Sequence, residues 1–183
     1  MRAVVASIES ELERYRLLAE GALRQLDDEQ AARPAPGGGN SVAVLVQHLA
    51  GNLRSRFTDF LTTDGEKPWR ERDAEFVPQG LSRAALLARW DEGWGALRGA
   101  LAGLTDADLE QTVVIRGQPL RVIEALQRAL AHVSYHVGQI VQLARAWRGD
   151  SWQWLSIPPG GTQATRRAPT LERGPASGDP GKT

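Results

Sequence analysis

Four stretches of the chain repeat apolar residues at the spacing of an α-helix. They run over about residues 4–26, 40–61, 82–104 and 120–147. Apolar side chains at positions i, i+3, i+4 and i+7 form a stripe along one side of a helix, and such a stripe has to be buried against another element. The pattern therefore predicts an all-α fold, an antiparallel four-helix bundle.

The connections between these helices differ in composition. A Pro- and Gly-rich linker over residues 27–40 ends the first helix, and Ser82 is a good N-cap for the third. The polar loop over residues 62–80 is long for a compact domain, and loops of this kind often carry function. Residues 112–116 alternate weakly, which predicts a short strand or a hairpin arm before the fourth helix.

The chain changes character after residue 150. Residues 151–161, SWQWLSIPPGG, keep apolar anchors that can pack on the bundle. Residues 162–183 are rich in Gly, Pro, Arg, Ser and Thr and have almost nothing to bury. We therefore predict one helical domain over residues 1–161 and a disordered tail over residues 162–183.

The end of that tail, ASGDPGKT, fits a relaxed phosphate-binding loop with Ala in the first Gly position. A phosphate loop works only between a strand and a helix, because backbone N–H groups at the start of the helix bind the phosphate. The sequence ends without that helix, so we interpret the match as chance.

Composition excludes several classes of function. Lys plus Arg equals Asp plus Glu at 22 each, so no basic surplus exists to pair with the phosphates of a nucleic acid. The absence of Cys excludes disulfides, thiolate metal sites and Cys nucleophiles. The N-terminus turns acidic too early for a signal peptide, and no apolar run approaches the ~20 residues of a membrane span. We expect a soluble, cytoplasmic protein without nucleic-acid or membrane partners.

The chain has three histidines, and their spacing is the main indication of function. His132 and His136 are four residues apart in the fourth predicted helix, so they share one face of it. His48 lies in the second predicted helix, and a packed pair of helices can bring it to the other two. Three imidazoles form a metal site with an open position for water or substrate. The alternative is three unrelated histidines at the border of the core.

The sequence around these histidines resembles a known family. The stretches SVAVLVQHLAGNLRSRFTDFLTTDGEKPWRERDAEF, AHVSYHVGQI and WLSIPPGG are similar to the DinB-like (YfiT-like) metal-dependent four-helix bundles, in a branch of unassigned function. The resemblance extends over roughly residues 3–161. It implies that His48, His132 and His136 bind a divalent metal such as Zn, Ni or Fe. Some relatives are transferases or isomerases that use low-molecular-weight thiols, bacillithiol or mycothiol.

Three polar residues close to the histidines are candidates for contact with a substrate. Asn52 and Arg56 follow His48 by four and eight residues on its helix face, where they could contact substrate or orient a ligand. Gln139 follows His136 by three residues and could bind a metal-bound water or a ligand imidazole. The alternatives are a polar pair at the end of the bundle and an ordinary polar boundary residue.

The long polar loop supplies weaker candidates. Asp73 and Glu75 could provide a fourth oxygen ligand or a general base, although solvated loop charges are the favoured interpretation. Lys67, Trp69 and Arg70 could form a lid that recognises an anion.

These observations predict a metal-dependent enzyme that acts on a small molecule. The metal would activate either water, as in a hydrolase, or a low-molecular-weight thiol, as in a thiol S-transferase. Two alternatives remain: a metal-binding or stress-associated protein without turnover, and a structural bundle with core histidines. The family resemblance also makes a homodimer plausible, although no apolar stripe requires one.

Overall fold

The computed structural model describes residues 1–167, which are mainly helical. In chain order the elements are α1 (Ala3–Arg24), α2 (Asp28–Ala32), α3 (Val42–Phe57), α4 (Arg83–Ala102), β1 (Thr112–Ile115), β2 (Gln118–Arg121), α5 (Val122–Arg148) and α6 (Thr162–Arg167). Short 3₁₀ turns lie at Asp73–Phe76, Asp106–Glu110 and Gly149–Ser151. The prediction of a predominantly helical chain is confirmed.

The four long helices pack around one core. The most extensive contacts join α3 to α4 and α1 to α5, and further contacts join α3 to α5 and α1 to α4. The predicted stripes supply the buried side chains, among them Leu12, Leu45, Leu49, Leu53, Trp90, Trp94, Leu97, Leu126, Val133, Val137 and Ile140. Burial of this apolar surface is the main term that favours the folded state.

Two of the long helices begin at serines, one of them the predicted Ser82. Ser41 Oγ accepts a hydrogen bond from the Val44 backbone N–H at 3.2 Å, and Ser82 Oγ accepts one from the Ala85 N–H at 3.3 Å. Each contact satisfies an N–H group that the first turn of a helix leaves without a backbone acceptor.

The second long helix is shorter than predicted. The helix α3 ends at Phe57, whereas the periodicity predicts a helix up to about Leu61. Thr58 is extended and Asp59 is left-handed with φ 49°, so the chain turns away from the helix axis. Phe60 still reaches the core because the turn brings its ring to 5.0 Å from the ring of Phe57.

The predicted hairpin is present between α4 and α5. Strands β1 and β2 pair antiparallel from Thr112↔Arg121 to Ile115↔Gln118. Arg116 and Gly117 form the two-residue turn with φ 55° and 72°. The fourth long helix therefore begins at Val122, two residues after the predicted start near residue 120, because residues 118–121 form β2.

Two short helices lie where the sequence predicted none. The helix α2 interrupts the Pro/Gly linker and begins with a reciprocal capping box between Asp27 and Gln30. The helix α6 covers Thr162–Arg167, at the start of the segment for which the sequence predicts a disordered tail. Residues 168–183, including the ASGDPGKT match, lie outside the described part of the chain.

The segment after α5 packs on the helical core, as its apolar anchors predicted. The side chain of Gln25 donates to the Gln153 carbonyl at 2.9 Å and accepts from the Gln153 N–H at 2.8 Å. Leu155 lies against Gly21, where a larger side chain would collide with it. Among residues 1–167, no helix is both long and apolar enough to cross a membrane.

Helices α3 and α4 approach each other closely at Gly93. A Cβ at this position would lie 2.6 Å from the carbonyl oxygen of Ala50 and 2.9 Å from its Cα, both backbone atoms. We expect Gly93→Ala to lower the free energy of unfolding by about 1–3 kcal/mol, because the two helices have to separate. Urea unfolding followed by circular dichroism measures the change.

Gly95 provides the matched control on the same helix. It is exposed, and a Cβ there meets no atom within 4 Å. Gly95→Ala should raise the free energy of unfolding by up to about 1 kcal/mol, because Ala loses less backbone entropy in a helix. Equal effects of the two substitutions would contradict a steric role for Gly93.

Candidate metal centre

The structure brings the three histidines together, and we call them the histidine cluster. One ring nitrogen from each of His48, His132 and His136 lies within 4.8 Å of the others. The Nε2 atoms of His48 and His132 are 3.2 Å apart. The ring centroids are 4.6–5.2 Å apart, and each pair of rings meets edge to face.

The packing of α5 on α3 produces this convergence. Val133 and Val137 on α5 are buried in the core, and His132 and His136 each precede one of them. The two imidazoles therefore lie one helical turn apart at the edge of the core, half-buried. His48 is buried on α3 and meets them there.

The surroundings keep two of the imidazoles neutral at neutral pH. Burial, together with the charges of His136, His48, Arg70 and Arg56, lowers the pKa of His132 to about 4. Burial also lowers the pKa of His136, against the opposing effect of its hydrogen bond to Gln139. A neutral imidazole has the lone pair that a metal ligand needs.

His48 is oriented by a buried carboxylate. Its Nδ1 lies 2.9 Å from Glu75 Oε2, and Arg70 holds the same carboxylate through Nε at 2.8 Å and Nη2 at 2.9 Å. Burial alone would raise the pKa of Glu75, but the hydrogen bonds from His48 and Arg70 and the charge of Arg70 outweigh it and lower that pKa. Because the ionised carboxylate only accepts, Nδ1 of His48 carries the proton and Nε2 is left free toward the cluster.

The interpretation of Glu75 as a solvated loop charge was wrong. The 3₁₀ turn that carries it packs on α3, where Gln47 Nε2 donates to the carbonyls of Ala74 at 3.2 Å and Glu75 at 3.0 Å. Gly51 makes room for the carboxylate, because a Cβ there would overlap it. Asp73 is fully exposed, as predicted for a solvated charge. A Gly inside the histidine-bearing helix was the sequence signal for this close approach.

His136 has an orienting contact of its own. Its Nδ1 lies 2.8 Å from Gln139 Oε1, one helical turn further along α5. The amide oxygen accepts the Nδ1 proton, which leaves Nε2 of His136 as the available nitrogen. The spacing of three residues had suggested such a contact with a ligand imidazole.

The donor chemistry of the cluster and the spacing of one of its nitrogen pairs fit a divalent metal. Zn–N bonds of 2.0–2.1 Å in a tetrahedron place two ligand nitrogens about 3.3 Å apart, and the nitrogens of His48 and His132 are 3.2 Å apart. Within residues 1–167, no Asp, Glu, Cys or further His joins the group. Three protein ligands leave a coordination position for water or substrate.

A cavity of about 170 Å³ opens beside His48 and His132. Asn52 and Arg56, which sequence spacing placed on the same face of α3, both line it. The other lining residues are Phe57, Phe60, Arg72, Ile115, Arg116, Ala125, Arg128 and Ala129. A larger cavity of about 740 Å³ between α1, α5 and the C-terminal segment contains none of the three histidines, so the smaller cavity is the one that adjoins the chemistry.

The prediction of an anion-recognising lid at Lys67, Trp69 and Arg70 was wrong. The Arg70 side chain is 2% exposed and paired with Glu75, and Lys67 is buried with its ammonium group donating to the Asp64 carbonyl. Trp69 is half-exposed, and none of the three lines the cavity. Sequence reasoning did not recognise that this loop folds inward around Glu75.

Fold and site together define a helical protein whose histidine cluster suits a divalent metal. The chain belongs to the family described as a protein of unknown function, DUF1572, which matches residues 2–161. It is also similar to a Bacillus licheniformis protein named "putative metal-dependent hydrolase", with 30% identity over 136 residues that cover 67% of this chain and 75% of the relative. These findings confirm the family resemblance seen in the sequence. No solved structure matches the chain.

Removal of the charge on Glu75 should weaken metal binding. Glu75→Gln keeps the size of the side chain but removes the ionised acceptor of His48 Nδ1, and losses of this kind typically reduce metal affinity by about 10–100-fold. A competition titration of Zn²⁺ against a chromogenic chelator measures the affinity. Asp73→Asn, in the same 3₁₀ turn but fully exposed, should leave it unchanged. If the two variants bind Zn²⁺ equally, Glu75 does not support the cluster.

Proposed function

We propose that the chain is a metal-dependent hydrolase that acts on a small molecule, with a divalent metal held by His48, His132 and His136. The observation that carries the proposal is the set of three imidazole nitrogens within 4.8 Å of one another beside a cavity. The name of the Bacillus licheniformis relative supports a hydrolytic reaction. We further propose that the four long helices form a four-helix bundle of the DinB-like type.

A bound divalent metal would polarise a substrate oxygen and lower the pKa of a water molecule to about 7, so that hydroxide is available at neutral pH. The residues of the chain prepare the site for that chemistry. Glu75 and Gln139 hold the rings of His48 and His136 by their Nδ1 protons, which fixes the tautomers and directs Nε2 toward the cluster. Rings that are fixed before the ligand arrives do not have to be ordered during the reaction.

Side chains in the cavity would position the substrate. The amide of Asn52 can donate a hydrogen bond to a substrate oxygen, and the guanidinium of Arg56 can orient a negatively charged group. Phe57 and Phe60, whose ring centroids are 5.0 Å apart, contribute apolar surface to the cavity. Their placement supports a substrate-binding role for this cavity.

The second candidate nucleophile is a low-molecular-weight thiol in place of water. Three nitrogen ligands and an open position suit a borderline metal that also binds thiolate sulfur. The two reactions separate in one assay, in which the metal-loaded chain receives an activated ester with and without a small thiol. Turnover without thiol supports hydrolysis, turnover only with thiol supports transfer, and no turnover with a full metal content supports a metal-binding protein without catalysis.

His132→Ala should abolish stoichiometric metal binding. The substitution removes one of three ligands, and two imidazoles do not complete a site. Elemental analysis of protein purified after incubation with Zn²⁺ should give about one equivalent for the parent chain and far less for the variant. Gln127→Ala, at an exposed position of the same helix, should bind as the parent does. An equal metal content in both variants would refute the proposed site.

Chelation should lower the melting temperature of the metal-loaded chain. A ligand at 100 times its Kd stabilises the folded state by about 2.7 kcal/mol, which corresponds to roughly 5–10 °C for a chain of this size. Differential scanning fluorimetry with and without a chelator measures the shift. The His132→Ala variant should melt at the same temperature under both conditions, and a parent chain insensitive to the chelator would contradict the proposal.

A further inference from the structure

The cavity beside the histidine cluster has a strong excess of positive charge. Four arginines line it and no carboxylate does; they are Arg56, Arg72, Arg116 and Arg128. They come from separate parts of the chain, namely α3, the long loop, the hairpin turn and α5. Their charges meet only because the fold brings these elements to one place. We call this space the arginine cavity.

Carboxylates around the arginine cavity neutralise only part of this charge. Asp73 lies 3.4 Å from Arg72 Nη1, in an exposed ion pair. Glu66 is shared, because its Oε2 lies 3.2 Å from Arg56 Nη2 and 2.8 Å from Arg116 Nε, and its Oε1 lies 3.5 Å from Arg70 Nη1. Arg128 is exposed on α5 and has no carboxylate partner within residues 1–167. At least one positive charge of the cavity therefore has no protein counter-ion among the described residues.

The surroundings of Arg56 favour the binding of an additional anion. Its side chain is only 14% exposed, and its Nη1 is buried without a hydrogen-bond partner. Burial lowers the pKa of Arg56, the charge of Glu66 raises it, and the charges of Arg70 and Arg116 lower it again. A buried guanidinium gains most from a second oxyanion, because charge-assisted hydrogen bonds are strongest where water is excluded.

The backbone of Arg116 adopts a conformation that is unfavourable for an arginine, which suggests that its side chain has a role at this position. Its φ of 55° lies in the left-handed region, and both residues of this turn have positive φ, which favours Asn or Gly at the position of Arg116. The Asp64 carboxylate holds the turn by accepting the N–H groups of Arg116 at 2.8 Å and Gly117 at 2.7 Å. Non-Gly residues in this region are uncommon, and such backbone strain often lies at functional sites.

We propose that the arginine cavity is an anion-binding subsite and that the substrate carries an oxyanion, either a carboxylate or a phosphate, next to the reacting group. This inference rests on the proposed function, since it names the class of substrate that the metal site would act on. The cavity has a volume of about 170 Å³, below the ~300 Å³ at which pockets for drug-sized ligands begin, so the substrate is a small molecule. The cavity is also lined by the apolar side chains of Phe57, Phe60 and Ile115, which indicates that the substrate has a short apolar part next to its anionic group.

Isothermal titration calorimetry on the full chain tests the subsite with three probes of similar size: benzoate, phenylphosphate and the neutral benzyl alcohol. We expect at least one of the two anions to bind and benzyl alcohol to give no measurable heat of binding. The tighter anion identifies the oxyanion that the cavity prefers. Each titration is performed on the Zn²⁺-loaded protein and after chelation, because an anion can also bind to the metal directly.

Arg128→Gln should lower the affinity for the anion by about tenfold or more, because a charge-assisted hydrogen bond is lost. The loss should be the same in the Zn²⁺-loaded and the chelated protein, and the Zn²⁺ content should be unchanged. Arg145→Gln is the matched control, since it removes the same charge from an exposed position on the same helix outside this cavity. Arg116→Asn should also weaken the anion, with a melting temperature equal to or above that of the parent, because Asn is preferred in this turn.

Two results would overturn the subsite. The first is benzyl alcohol binding as tightly as the anions, and the second is an equal effect of Arg128→Gln and Arg145→Gln on their affinity. The outcome is separate from that of the metal site. A chain that retains no Zn²⁺ but binds the anions in an Arg128-dependent way refutes the hydrolase and supports the subsite. A chain that binds Zn²⁺ through His132, but binds all three probes equally and is unaffected by Arg128→Gln, refutes the subsite and supports the metal site.

Discussion

The buried pair of Arg70 and Glu75 is the interaction on which the site depends. A buried carboxylate without a partner would be strongly unfavourable, and Arg70 satisfies both of its oxygens. From this pair the contacts run in two directions: through Glu75 to His48 in the histidine cluster, and through Arg70 to Glu66 at the back of the arginine cavity. One continuous network of alternating charges therefore connects the place where a metal would bind with the place where a substrate would bind.

The parts of this structure that the sequence could predict are those fixed by local periodicity. The apolar stripes of the four long helices and the i, i+4 spacing of His132 and His136 are patterns of residues that are close in sequence. They therefore predict the helices and the helix face that the two histidines share. That His48 meets the pair could be expected only as one way of packing two helices. The family resemblance, carried by whole stretches around the histidines, supplied the rest of that expectation.

The parts that could not be predicted depend on tertiary contacts. Glu75 and His48 are 27 residues apart, and the carboxylate reaches the ring only because the loop folds inward and Gly51 leaves space for it. By composition alone, the loop looks like any solvated segment. The end of α3 at Phe57 is likewise set by the packing of Phe60, since the sequence continues an acceptable helical pattern. Local propensity is overridden in both places by a contact that is distant or buried.

The position of the histidine cluster relative to the helix packing has a mechanical consequence. The most extensive contacts join α3 to α4 and α1 to α5, whereas α3 and α5 share a smaller interface. His48 belongs to the first pair of helices, and His132 and His136 to the second, so the cluster spans the seam between them. A ligand that needs all three nitrogens at fixed distances can bind only one alignment of the two pairs. Occupancy of the site and the alignment of the helix pairs are therefore a single linked equilibrium, in which whatever shifts one shifts the other.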